Sequence, residues 1–227
     1  MIRGPPIRGA RRRRVRGGRP KGSMTVSDVT SMARKAWQAS KYIMSLINVE
    51  TKVFDVTGSG TVGTSAILYN LSNIAQGSDY NNREGNSILV QGLELRYSLE
   101  SSFTAANTAF VRVLLVADMD QHGSDPALSD LLETTSAGLS VCSPYLHYAN
   151  KRFSILYDHT SSLCTSAASC SQFYNVSLRY NKHVKYSYST GADTSNWEGA
   201  LYLFLIGTQG TYPCAYNLYH RLFSTDN

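Results

Sequence analysis

Arg3, Arg8, Arg11, Arg12, Arg13, Arg14, Arg16, Arg19 and Lys21 stand within residues 1–22, and no acidic residue stands among them. Guanidinium groups stay charged and bond phosphate oxygens through planar, paired N–H donors, so this density points to a polyanion. Pro5, Pro6, Gly17, Gly18 and Pro20 deny the segment a helix and keep it extended enough to follow a nucleic-acid backbone. No base-reading motif accompanies the run. Binding is therefore expected to be electrostatic, salt-sensitive and nearly indifferent to sequence. The same run has the composition of a nuclear-import signal, and one segment can serve both purposes.

Other groups capable of chemistry are present, but their spacing does not assemble a site. Gly58-x-Gly60-x-x-Gly63 matches a dinucleotide fingerprint. That fingerprint needs a helix to open at its third glycine, whereas Ile67-Leu68-Tyr69 continues as a strand, so the glycines read as a flexible connection. Asp118, Asp120 and Asp125 offer oxygen ligands to a hard cation at a subunit interface. Their spacing is not that of a calcium loop, and acidic residues on a solvated loop are the simpler account. The histidines at 122, 147, 159, 183 and 220 are scattered, with no metal or triad pattern. Cys142, Cys164, Cys170 and Cys214 form no C-x-x-C pair; free thiols are favoured over a Cys164–Cys170 bridge. Asn70-Leu71-Ser72 and Asn175-Val176-Ser177 are glycosylation sequons that fall inside expected strands and read as chance matches. No catalytic residue, metal site or cofactor is expected.

The elements that carry these residues divide the chain into three zones. Residues 1–22 form an arginine-rich arm without apolar periodicity, expected to be disordered until it meets an anion. Residues 23–46 hold a linker and a helix over about 26–46. Val29, Met32, Ala33, Ala36, Trp37, Ser40, Ile43, Met44 and Ile47 recur there at three- and four-residue steps. Arg34, Lys35 and Lys41 lie on the other side with Asp28, Gln38 and Ser45 and extend the candidate nucleic-acid surface. Such a helix either packs on its own domain or sets its basic face on nucleic acid and its apolar face on symmetry mates.

Residues 47–227 read as strands. Leu93, Leu95, Tyr97 and Leu99 alternate with Glu94, Arg96, Ser98 and Glu100. Phe153–Tyr157, Tyr174–Tyr180 and Val184–Tyr188 alternate likewise. Phe110–Ala117 and Ala200–Ile206 are apolar on both phases, as central strands covered on both faces would be. Ile47–Val56, Ala66–Ile74 and Ala215–Phe223 complete a count of eight when Tyr174–Tyr180 and Val184–Tyr188 are taken as one strand. A short helix is expected over Pro126–Glu133, with Asp125 as its cap. Eight strands with long connections and little helix indicate an all-β, two-sheet sandwich, of which the jelly roll is the eight-stranded form.

Composition narrows the function classes. Hydrophobic residues, the fifteen Tyr among them, make up 42% of the chain and charged residues 17%, the balance being largely Ser, Thr, Asn and Gly. That surface suits a subunit meeting neighbours over much of its exterior, although strand propensity alone also favours Tyr and Thr. Outside the arm, 13 basic residues stand against 16 acidic ones, so the positive charge is concentrated in the first tenth of the chain. No run approaches the ~18 apolar residues of a membrane span, and no apolar run follows the N-terminal charges as a secretory signal would require.

Several short stretches resemble one family. Leu71-Ser72, Gln76-Gly77, Arg83-x-Gly85 and Ile88 resemble the approach to the fourth strand of satellite tobacco necrosis virus-like coat proteins. Lys151-Arg152-Phe153-x-Ile155-Leu156-x-Asp158 resembles the strand after that family's long surface loop. Asn48-Val49-Glu50-x-Lys52 resembles the first strand in capsids of small circular single-stranded DNA (CRESS-DNA) viruses. The resemblance implies a single jelly roll with sheets B-I-D-G and C-H-E-F. It further implies a closed icosahedral shell of about sixty copies with the basic arm inside, around a single-stranded genome. The DNA-virus likeness favours DNA over RNA. The virion is the expected location, with the host nucleus reachable through the arm. Loops 75–86, 134–150 and 190–198 would project from the sandwich ends, where a host receptor is met. The family's calcium ligands match no residues here. The alternative is a cellular jelly-roll binding module, lectin- or cytokine-like; a third reading is a non-viral nucleic-acid protein with a β domain.

Overall fold

The computed structural model describes residues 26–46, 51–101, 108–120, 123–136, 138–164, 170–187, 197–210 and 213–226. Two compact units result, Met1–Asn48 and Val49–Asn227. The first holds helix α1, Val26–Leu46, over the range its periodicity predicts. The second holds eight strands: β1 (Thr51–Val62), β2 (Ile67–Asn70), β3 (Ser87–Ser101), β4 (Thr108–Asp118), β5 (Phe153–Cys164), β6 (Cys170–Lys185), β7 (Ala200–Gly207) and β8 (Cys214–Asp226).

One sheet has the order β1-β8-β3-β6 and the other β2-β7-β4-β5, and every neighbouring pair runs antiparallel. Lettered B to I in chain order, these are the B-I-D-G and C-H-E-F sheets of a jelly roll. The first strand pairs with the last, Thr51 opposite Thr225.

Alternation puts one apolar phase of each sheet into a common core. Leu93, Leu95, Tyr97 and Leu99 of β3 meet Val111, Val113, Leu115 and Ala117 of β4 and Leu201, Leu203 and Leu205 of β7 there, all nearly inaccessible to water. The other phase of β4 and β7 is apolar too, and the structure shows why. Leu114, Val116, Ala200, Tyr202, Phe204 and Ile206 form a second core with Leu128, Leu131, Leu132, Val141 and Ala149. The connection from β4 to β5 therefore lies across the outer face of the second sheet. Much of segment 134–150, expected as a projecting loop, belongs to this layer: Val141 is buried and Leu139, Tyr145 and Leu146 pack against it.

Several expected elements change extent. Residues 47–50 lie outside the described residues, and β1 continues through Gly58 and Gly60 to Val62, so those glycines are strand rather than flexible connection. A Cβ on Gly58 would sit 2.4 Å from the Tyr69 hydroxyl oxygen, so the glycine admits that ring. β2 stops at Asn70 rather than Ile74 because the Asn70 side-chain oxygen accepts from the Ser72 backbone N–H at 3.2 Å and turns the chain. The helix expected over Pro126–Glu133 is one 3-10 turn, Leu128–Asp130. Its cap position is Ala127, whose N–H donates to Asp130, while Asp125 accepts from Asn70 at 3.3 Å. A short helix α2, Ala149–Arg152, precedes β5. Tyr174–Tyr180 and Val184 belong to one strand, β6, bent by a bulge opposite Val90–Gly92 with Asn181 at φ 50°.

Candidate nucleic-acid interface

Of the twelve cations nominated from sequence, Arg3, Arg8, Arg11, Arg12, Arg13, Arg14, Arg16, Arg19 and Lys21 lie outside the described residues. Arg34, Lys35 and Lys41 lie on α1 and are exposed. Seven residues are nearly two helical turns, so Arg34 and Lys41 share one stripe, with Lys35 about 100° round the axis. The Lys41 ammonium rests 3.9 Å from the Trp37 ring centroid, which directs the charge along the helix surface. Asp28 sits in the first turn, where the helix dipole favours an anion. The apolar stripe is also open: Val29, Met32 and Ile43 are each more than half exposed.

In the sandwich, most charged side chains that the sequence left unassigned are structural. Arg112 of β4 is buried and donates to both carboxylate oxygens of Asp158, at 2.9 and 2.7 Å, and to the carbonyls of Val141 and Ser143. It thereby ties the β4–β5 connection to the sheet beneath. Hydrogen bonds from Arg112 hold the Asp158 carboxyl below its usual range, and burial beside Asp158 pushes Tyr145 up to about 12. Asp118, expected on a solvated loop, is fully buried and paired with Arg152 at 2.6 Å. Among the described residues no group of acids, histidines and cysteines is arranged to hold a metal ion.

Lys52 is 5% exposed and reaches Asp226 at 2.9 Å and Glu84 at 3.1 Å. Burial alone would lower its pKa, but the two carboxylates outweigh burial and raise it. Arg83 is buried beneath Tyr186, 4.1 Å from the ring centroid, and donates to the carbonyls of Ile74 and Gly85. This accounts for Arg83-x-Gly85 as a staple of the 75–86 loop. Cys142, Cys170 and Cys214 are free thiols; the side chain of Cys164 lies outside the described residues.

The solvent face of the β1-β8-β3-β6 sheet is different. Registers place Ser59, Asn217, Ser98 and Phe173 in one cross-strand row and Thr57, Tyr219, Arg96 and Asn175 in the next. Phe173 is 70% exposed. Sequence reasoning missed it, although the signal was present: in β6 it stands on the polar phase, between Ser171 and Asn175. Arg221 pairs with Asp55 through two bonds of 2.8 Å, and Arg96 contacts Glu94 at 3.5 Å.

Two antiparallel four-stranded sheets in this order define the eight-stranded jelly roll, a fold class that includes viral shell proteins, lectins and cupins. The chain belongs to the satellite tobacco necrosis virus coat protein family, whose model matches residues 25–222. It is 31% identical over 144 residues to the coat protein of Maize white line mosaic Satellite virus, spanning 62% of this chain and 64% of that protein. Among solved structures, one of Desmodium yellow mottle tymovirus aligns over 78% of this chain and 88% of that one, at 10% identity and a TM-score of 0.34. The infectious bursal disease virus Gx strain structure aligns over 78% and 33%, at 8% identity and a TM-score of 0.27. Family membership makes the chain a structural protein and not an enzyme.

Proposed function

We propose that this chain assembles with about sixty copies of itself into a small icosahedral shell and packages a single-stranded viral genome through residues 1–22. The observation that carries the reading is the charge partition: nine cations and no anion in the arm, against 13 basic and 16 acidic residues beyond it. Sixty arms would bring about 540 positive charges to the genome, enough to offset much of a small one. Arg34, Lys35 and Lys41 on the exposed stripe of α1 would extend that surface. Residues 1–22 form the packaging arm, 23–46 the linker and helix, and 47–227 the shell domain. DNA is the proposed genome, on the likeness at Asn48-Val49-Glu50, which lies outside the described residues. The arm would also serve nuclear entry.

Negative-stain electron microscopy of purified full-length protein, with the 260/280 nm absorbance ratio of the same sample, tests this. Uniform closed shells carrying nucleic acid are expected, and deletion of residues 1–22 should remove the nucleic acid while far-UV circular dichroism stays unchanged. DNase sensitivity of the extracted nucleic acid, with RNase resistance, would establish the sugar. Soluble monomers or trimers free of nucleic acid across salt and pH would overturn the proposal.

A further inference from the structure

We propose that the solvent face of the β1-β8-β3-β6 sheet carries a nucleobase-stacking cleft built on Phe173, distinct from the charged arm. The inference rests on the packaging function and names a second point at which the same polymer is held. Phe173, Tyr219, Arg96, Ser98 and Asn217 line a cleft of about 410 Å³. They come from three adjacent strands whose registers put Ser98 opposite both Phe173 and Asn217, and Arg96 opposite Tyr219.

The chemistry of the lining matches a nucleotide. An open aromatic ring offers a sequence-tolerant platform, because every base has a π-face. Arg96 is half exposed, and its contact with the partly buried Glu94 is 3.5 Å, a weak pair that a phosphate can displace. Asn217 Nδ2 stands 3.5 Å from Ser98 Oγ, far enough that amide and hydroxyl keep hydrogen-bonding capacity for a base edge. The lining has one cation and no carboxylate, which complements an anionic ligand.

A second protein copy fits less well. A stable interface needs roughly 800 Å² per partner around an apolar core depleted in charge. Among the described residues of this face, Phe173 is the large apolar side chain left exposed, flanked by the partly buried Tyr219 and by Ser171, Asn175, Ser98 and Arg96. One such ring is the size of one base.

The test measures binding of fluorescently labelled dT30, and of an abasic oligomer of equal length and charge, to the dilute full-length chain and to Phe173→Ala and Phe173→Trp. The wild type should bind dT30 at least about fivefold more tightly than the abasic chain, the range given by stacking on one aromatic. Phe173→Ala should abolish that preference without changing abasic binding, and Phe173→Trp should keep it. Equal affinity of the wild type for both oligomers, or a preference untouched by Phe173→Ala, would overturn the cleft while leaving the arm intact. Loss of shell assembly by Phe173→Ala with the base preference retained would reassign Phe173 to a subunit contact. Failure of both oligomers to bind would remove the arm reading and this one together.

Discussion

His220 should set much of the acid sensitivity of the folded subunit. Its ring lies on the inward face of β8, opposite Val56 of β1 and Leu95 of β3, fully buried, and neither nitrogen has a hydrogen-bond partner. Burial lowers its pKa from 6.5 to about 4, against a partial counter-pull from Asp55. Above pH 6.5 the ring is neutral folded or unfolded, and pH has no leverage. Between 6.5 and about 4 the unfolded chain accepts a proton that the folded chain refuses, so stability falls as pH falls. The full loss is about 3 kcal/mol, most of it reached between pH 8 and pH 4.5. His220→Leu removes the titration and two unbonded nitrogens, so at pH 8 the variant should lie within about 1 kcal/mol of wild type. Urea denaturation followed by circular dichroism, at half-unit steps from pH 8 to 4.5, compares the two. The carboxylates that arginine holds low, Asp55 and Asp158, titrate in both proteins, so the difference between the curves reports His220 together with its coupling to Asp55. The curves should diverge by about 2–3 kcal/mol toward acid. Parallel curves would refute the assignment of a neutral, unsolvated imidazole.

Two other perturbations test the packing. Arg112→Met leaves Asp158 without its guanidinium and cuts the tie to Val141 and Ser143; it should cost about 3 kcal/mol and raise hydrogen exchange in 128–149 before the sheets, read by mass spectrometry. Gly58→Ala drives a Cβ into the Tyr69 ring and should cost about 1–3 kcal/mol in thermal denaturation, with Tyr69→Ala in the same chain recovering most of the added loss.

The helix and the strand phases were legible because each has a period and enough residues to display it. Sheet order was not, since alternation says which face a residue takes and nothing about its neighbour; the family resemblance supplied B-I-D-G and C-H-E-F. Leu114, Val116, Phe204 and Ile206 announced a covered outer face, but the covering residues Leu128, Leu131, Leu132 and Val141 come from an irregular segment without a period. Ion pairs such as Arg112–Asp158 and Arg152–Asp118 join residues distant in sequence and leave no local trace. Two signals were readable and passed over: Phe173 on the polar phase of its strand, and His220 on the apolar phase with Tyr216, Leu218 and Leu222.

The pairing of Thr51 with Thr225 also fixes an order of events during synthesis. β8 lies between β1 and β3, so that sheet has no centre until the ribosome has made nearly all of the described chain. At roughly 5–20 residues per second, the first strand waits on the order of ten seconds for its partner. The arginine-rich segment leaves the exit tunnel at the start of that interval. On the packaging role proposed above, it would then be open to polyanions while the sandwich behind it is still unpaired, so the arm's first encounters would precede closure of the fold.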